Sequence, residues 1–296
     1  MLAGAHINRY HAQGGRPSMV AHIAAACEEA AAEAGFELKA AAIFVGGPKS
    51  RTITLTVEER GALRAYVART GLRVIAHSSY GAQPWRGDPS AAAYIREELG
   101  VCQEAGISGL VVHLPKLPAS EVVRYAGRLL NRGAPDVRIY LETPAVRPAD
   151  SLYETPAKLA SLFRAIRAVD PDLAHFGLCV DSAHLWTCGV DLQSYDAAAE
   201  WFDRLEAVAG VIPPAAVAIH FNDSLRPRGV GPDAHAGLAR GKIWGGYRDR
   251  LGESGIAAVV DYAHRHGTPT ILERKPKEAL KSDYLILREL AGSSRN

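Results

Sequence analysis

Cysteine is scarce and scattered: the 296 residues hold four, Cys27, Cys102, Cys179 and Cys188, and no two stand in a CxxC spacing. That excludes a disulfide framework and a cysteine-type zinc ribbon, and leaves reduced, mostly buried thiols as the expectation. No apolar stretch approaches the roughly 18 residues that a membrane-spanning helix needs. The opening residues MLAGAHINRYHAQGG lack the basic flank and long apolar core of an export signal, so the reading is a soluble, unexported, cytoplasmic protein with no membrane partner. Charge of one sign is lacking too: 34 Lys and Arg oppose 32 Asp and Glu, for a net charge of +2. Such a balance neither demands nor excludes a polyanionic partner, because a local basic face can sit within it. Missing as well is any Pro/Gly/Ser-rich linker or charge block, so residues 1–296 read as a single domain.

What the chain does carry is a regular alternation. Eight short β-rich apolar runs, at residues 2–7, 40–45, 73–78, 109–114, 138–143, 176–181, 215–223 and 269–274, alternate with longer helical stretches. Several helices have clear start signals: Ser18, Thr56 with a Glu at the capping-box position, Ala119 or Ser120, and Thr155 followed by Pro156. Those at 56–71, 89–106, 119–133 and 247–267 end in or beside Gly. Eight strand and helix units predict an α/β fold, a (β/α)8 TIM barrel, which typically needs about 250 residues before loop insertions. The turn-rich segments 46–52, 79–89 and 225–246 all follow predicted strands. In a barrel they crowd the C-terminal face, where active sites form.

The most informative stretch is GLCVDSAHLWTCG, residues 177–189, in which Asp181 closes an apolar run and His184 follows three residues later. Alone, that pair is more often a helix N-cap and an ordinary histidine. The pattern recurs, however. His77 closes RVIAH, His113 closes GLVVH, Glu142 closes RIYLE, His220 lies in VAIHFND and Glu273 closes TILE, while His184, Asp233 and His235 follow in adjoining loops. Nine ligand-type side chains at one barrel face would repel one another and be costly to desolvate. Cations resolve both costs, and mixed carboxylate and imidazole donors suit Zn²⁺ or Mn²⁺ rather than Ca²⁺. His6, His11, His22, His175, His264 and His266 lack this placement and read as structural.

The segments AHSSY (76–80), VVHLP (111–115), LETP (141–144), GLCVDSAHLWTCGVD (177–191), IHFNDS (219–224), PDAHAG (232–237) and TILE (270–273) resemble, in order and spacing, the motifs of the endonuclease IV family of abasic-site (AP) endonucleases. The match runs from GAHIN at residue 4 to Glu273, nearly the whole chain. The resemblance implies a TIM barrel holding three zinc ions, with manganese an alternative at one position. It assigns His77, His113 and Glu142 to one zinc, Glu142 bridging to a second held by Asp181, His220 and Glu273, and His184, Asp233 and His235 to the third. The implied reaction is hydrolysis of double-stranded DNA 5′ to an abasic deoxyribose, leaving a 3′-hydroxyl and a 5′-deoxyribose phosphate. Clustered metals suit it, because a bridging hydroxide is available near neutral pH and the leaving oxygen is stabilised. Glu142 would also act catalytically by orienting that hydroxide.

An abasic nucleotide costs little to extrude and fits a pocket too narrow for an intact one. In the family, loop residues fill the gap left behind, and by position these are Arg51 and Tyr80. Lys49, Arg86, Arg226, Arg228, Arg240 and Lys242 also lie in the predicted C-face loops, where they could neutralise phosphates. The chain departs from the family at three points: Gly81 replaces a bulky apolar residue, AGLARGKIWGG replaces an acidic Gly-Glu-Gly turn with Arg240 and Lys242, and VHLPK lacks a Pro-Gly-Ser continuation. These departures bear on DNA geometry more than on metal binding. The rival reading is a sugar isomerase or epimerase of the same barrel superfamily. That chemistry needs Glu142, Asp181, His220 and Glu273 with one or two metals, and leaves the other five residues without a task. The expectation is a monomer.

Overall fold

Alternation along a strand sends every second side chain to one face, and in a closed barrel that face is the interior. A computed structural model, which describes residues 1–8, 18–131, 133–274 and 280–293, shows where this leads. In chain order the strands are β1 (Leu2–His6), β2 (Ala40–Phe44), β3 (Arg73–His77), β4 (Gly109–His113), β5 (Arg138–Glu142), β6 (Phe176–Asp181), β7 (Val217–His220), β8 (Asp223–Ser224), β9 (His235–Ala236) and β10 (Pro269–Leu272). Strands β1, β10, β7, β6, β5, β4, β3 and β2 close a parallel barrel in that order, and β8 and β9 form a separate antiparallel hairpin. The described helices are α1 (Met19–Ala34), α2 (Val57–Thr70), α3 (Pro89–Ala105), α4 (Ala119–Ala126), α5 (Pro156–Ile166), α6 (Ser182–Thr187), α7 (Tyr195–Glu206), α8 (Gly255–His266) and α9 (Lys281–Ser293). The barrel and its helices are those expected of the TIM fold.

Ala42, Ile75, Val111, Tyr140, Cys179, Ala218 and Ile271 belong to one buried cluster inside the barrel. Two residues further along the same strands, or just past their ends, stand Phe44, His77, His113, Glu142, Asp181, His220 and Glu273. The alternation that builds the apolar floor therefore also lifts Phe44 and six polar side chains onto it. Tyr140 is the large member of that floor, and its neighbours are small to admit it. A Cβ on Gly109 would lie 2.3 Å from Tyr140 Cε2, and one on Gly177 would lie 2.9 Å from Tyr140 Cδ1.

Most helix starts follow their sequence signals. Ser18 caps α1, Thr56 and Glu59 form a reciprocal capping box on α2, and Pro156 opens α5 after Thr155. Three boundaries differ from expectation. Helix α4 stops at Ala126 rather than near 133, because Arg128 and Leu129 donate to Tyr125 and Ala126 in tight three-residue turns that bury Leu129. Helix α8 begins only at Gly255: Gly255 N donates to Gln193 O, and Ser254 bridges to Ser194, pinning an extended chain there. The apolar run 215–223 splits into β7 and the hairpin strand β8. The split is held by the Asp223 carboxylate, which accepts N–H groups from Ser224, Gly241, Ile243 and Trp244.

The packing around Tyr140 gives a direct test. Gly109→Ala should lower unfolding free energy in denaturant titrations by roughly 1–3 kcal/mol through overpacking. Combined with Tyr140→Leu, which vacates the ring, it should cost less than the two single changes added together.

Candidate metal centre

Strand register brings the candidate ligands together in pairs. His113 is the cross-strand partner of Glu142, and Asp181 that of His220. The Glu142 carboxylate, 1% exposed, lies at the middle. Its Oε2 is 2.8 Å from His113 Nε2 and 3.3 Å from His77 Nε2, and its Oε1 is 2.7 Å from His220 Nδ1. Donor atoms of His77, His113 and Glu142 converge within 4.8 Å of one another, as do those of Glu142, Asp181, His220 and Glu273, and those of Asp181, His184 and His235. Asp233 joins the third group, its Oδ2 lying 2.9 Å from His235 Nε2 and 3.6 Å from His184 Nε2. All nine residues singled out from the sequence thus meet at the C-terminal rim.

Two rings are aimed by backbone. His77 Nδ1 donates to Ser78 O and His184 Nδ1 to Thr143 O, each at 2.7 Å, so each ring turns Nε2 toward the cluster. Asp181 serves in two ways at once. One oxygen caps α6 by accepting the His184 N–H at 2.8 Å, while Oδ2 lies 3.8 Å from His235 Nε2.

The charges are strongly interdependent. Burial raises the Glu142 carboxyl, but His113 and His220 outweigh it and hold the group well below the usual carboxylate range. Glu273 behaves alike, with burial overcome by His220 and His6. Asp181 is raised, by burial and the nearby Glu142 and Asp233, against His184 and His235. Burial depresses His184, His220 and His235, yet Asp181 and Asp233 beside His184 and His235, and the Cys179 thiol with Glu273 and Glu142 beside His220, leave all three above the ordinary imidazole value. The imidazoles that touch these carboxylates therefore do part of the neutralising that a cation would do.

Two contributors escape the sequence reading. His6 stands in the same layer as the ligands: Leu2 packs on the barrel interior, and Gly4 and His6 follow at the two-residue period. Its buried ring lies 4.7 Å from that of Phe44, with Nδ1 3.7 Å from Glu273 Oε1. The alternation counted from Leu2 is the signal that marks it. Asn222 is fully buried and donates to Asp181 Oδ2 at 2.8 Å and Glu273 Oε2 at 3.1 Å. Of the other histidines read as structural, His175 meets Asp170 and His266 meets Glu206, while His11 lies outside the described residues.

The candidate DNA contacts are less uniform. Tyr80 is 46% exposed, and its ring centroid lies 5.2 Å from that of His77 and 5.5 Å from that of His113. It stands between two hollows, one of about 790 Å³ reaching past Trp85, His113 and Lys116, the other of about 470 Å³ beside His235 and Glu273. Arg51 is already engaged: Nε donates to Gly81 O, and Nη1 to Asp88 and Ser90. Arg228 pairs with Asp191. Lys49, Arg240 and Lys242 are exposed, and Arg86 lines the larger hollow.

Residues 28–290 match the family model described as xylose isomerase-like TIM barrel. The Probable AP endonuclease of African swine fever virus is 36% identical over 262 residues, covering 86% of this chain and 87% of that protein. Probable endonuclease 4 of Nitrosopumilus maritimus is 29% identical over 203 residues, covering 69% of this chain and 62% of that protein. Among solved structures, that of AsfvAP:AG superposes with a TM-score of 0.89 at 31% identity over 99% of this chain and 98% of the other. Endonuclease IV from Thermus thermophilus gives 0.71 at 24% identity, over 99% of this chain and 100% of the other, a likeness of fold.

Behind His77 sits a buried carboxyl with a measurable signature. Glu98 on α3 accepts the Ser78 hydroxyl at 2.5 Å and Ser79 N–H at 3.4 Å, and burial pushes it up to about 7 against those bonds. Folding thus makes Glu98 bind its proton more tightly, so its contribution to stability is lost as pH rises from its ordinary 4.5 to about 7. In metal-free protein, Glu98→Gln should remove that part of the decline, at about 1.4 kcal/mol per pH unit crossed. Paired denaturant titrations across the window would read it, and parallel curves would refute the assignment.

Proposed function

This chain belongs to the AP endonuclease family of xylose isomerase-like TIM barrels and is an endodeoxyribonuclease of DNA repair, and we propose that it hydrolyses the phosphodiester 5′ to an abasic site using three zinc ions. The observation that carries this reading is the convergence of nine donors, from the buried Glu142 and Asp181 to the exposed His113 and Asp233, in three groups that share Glu142 and Asp181. The donor chemistry fits Zn²⁺, with Mn²⁺ an alternative at one position. When bound, such ions supply a water of lowered pKa and neutralise charge on the phosphoryl and leaving oxygens.

The rest falls to the protein. His77, His113 and Glu142 would hold the first ion; Glu142, Asp181, His220 and Glu273 the second; His184, Asp233 and His235 the third, with Asp181 at its border. Glu142, wedged between two groups, orients the attacking water in line with the scissile bond. Asn222 fixes the facing oxygens of Asp181 and Glu273, and backbone carbonyls fix the rings of His77 and His184. Tyr80, raised beside the cluster between two hollows, fills the space left by the missing base, and the extruded sugar phosphate enters beside it. Arg51, tied to Asp88, braces the loop that carries Tyr80 through Gly81 O. Lys49, Arg240 and Lys242 meet phosphates. The products are a 3′-hydroxyl and a 5′-deoxyribose phosphate.

All proposed ligands come from one chain, which supports action as a monomer. Reduced cytoplasm suits the four free cysteines. The sugar isomerase reading accounts for Glu142, Asp181, His220 and Glu273 but gives no task to the other five donors.

A duplex with one tetrahydrofuran abasic analogue tests the proposal. The expected result is a single cut 5′ to the analogue, about three zinc ions per chain, loss of cutting with a chelator and recovery with zinc. One metal, no incision and turnover of a ketose would defeat it. Glu142→Gln should lower the incision rate by at least about 100-fold with the fold retained. Tyr80→Ala should reduce the ratio of abasic to intact duplex affinity while leaving metal content unchanged.

A further inference from the structure

A line of buried polar contacts runs from the terminal helix into the metal centre. Asp283, in the first turn of α9, is 1% exposed, and Arg274, one residue past Glu273, is equally buried at 2%. Arg274 Nε donates to Asp283 Oδ2 at 2.9 Å, and Nη2 lies 2.7 Å from the same oxygen. The other end of the guanidinium turns inward: Nη1 donates to Asn222 Oδ1 at 2.8 Å and to Glu273 O at 2.9 Å. Asn222 Oδ1 also accepts the Glu273 N–H at 3.0 Å, and its amide donates to Asp181 Oδ2 and Glu273 Oε2. The second Asp283 oxygen accepts the Leu238 N–H at 2.9 Å, tying in the loop that follows His235.

We propose that Arg274 and Asp283 are positioning residues for the metal centre, holding Asn222 in the orientation that directs Asp181 and Glu273, and so coupling the docking of α9 to metal retention. The inference rests on the metal reading of those carboxylates given above. Each link is a directional bond with little slack. An amide can present its NH₂ to two carboxylates only if its oxygen is held on the opposite side, and here Arg274 and the Glu273 N–H hold it. Arg274 in turn needs a buried counter-charge, which Asp283 of α9 brings. A buried ion pair of this kind adds little net stability over a well-packed apolar pair, so the two roles, stabilising α9 and aiming Asn222, are separable by substitution. Coupling between sites is reciprocal: if α9 steadies the ions, the ions must steady α9.

The experiment uses the full chain loaded with zinc alone and counts ions per chain by native mass spectrometry against graded chelator. Asp283→Asn, and the apolar pair Arg274→Met with Asp283→Leu, should both release ions at roughly 10- to 100-fold lower chelator concentration. The apolar pair should keep a near-wild-type unfolding midpoint. A folded apolar pair that retains zinc as the wild type does would overturn the proposal. Wild-type protein supplies a second reading that needs no variant: on zinc loading, amide exchange across 281–293 should slow more than across α3, and an unchanged ratio would overturn it equally. Failure of the wild type to take up zinc at all would instead remove the metal reading on which the inference stands.

Discussion

Everything at the working end of this barrel depends on one carboxylate that cannot reach water. Glu142 is enclosed by His77, His113, His184 and His220, and four carboxylates share the rim with five imidazoles. An ionised group in such surroundings persists only if positive charge or donated hydrogen bonds surround it. The protein meets that condition in layers. Imidazoles touch the carboxylates, Asn222 and backbone carbonyls aim both, and Arg274 with Asp283 fixes Asn222. Each layer restricts the next, which is how a cluster of mutually repelling groups comes to have a single arrangement.

The fold and most of the site are legible in the sequence because they follow from one period. Strand alternation puts an apolar residue in the barrel floor and a ligand-type residue two positions later. A histidine or acid closing an apolar run therefore identifies His77, His113, Glu142 and Asp181 without knowledge of contacts. His6 obeys the same period but does not stand out, because its strand offers alanine and glycine rather than the bulky residues that make a run conspicuous. Asn222 and Arg274 are illegible for another reason. Their partners lie 41 to 52 residues away or on α9, and nothing local marks an amide or a guanidinium as buried. The short α4 answers to tight turns that bury Leu129, and the late α8 to tertiary contacts that override local helix signals.

The loop after His235 shows how a departure from the family pattern is accommodated. Residues 237–246 contain no acidic turn, yet the backbone there is held firmly. Asp223 gathers N–H groups from Gly241, Ile243 and Trp244, and a Cβ on Gly241 would meet Asp223 Oδ1 at 2.3 Å. The carboxylate that follows Asn222 thus fixes a loop whose exposed side chains, Arg240 and Lys242, are free to differ. Adjacent residues of one motif divide the work: Asn222 faces inward to the ligands, Asp223 outward to the backbone of the loop.

This division bears on which buried charges the protein could lose. The Asp223 clasp satisfies backbone donors that otherwise would be buried without partners, so its removal exposes several unmet N–H groups at once. The Arg274 and Asp283 pair is different in kind, since apolar side chains of similar volume could fill its space and leave only the Leu238 N–H and the Glu273 carbonyl without these partners. What apolar side chains cannot supply is a donor to Asn222 Oδ1. Without that donor the amide is held on one side only by the Glu273 N–H, and the two carboxylates it separates lose a common reference. The directional requirement, rather than stability, is the physical ground on which a charged pair is favoured at that position.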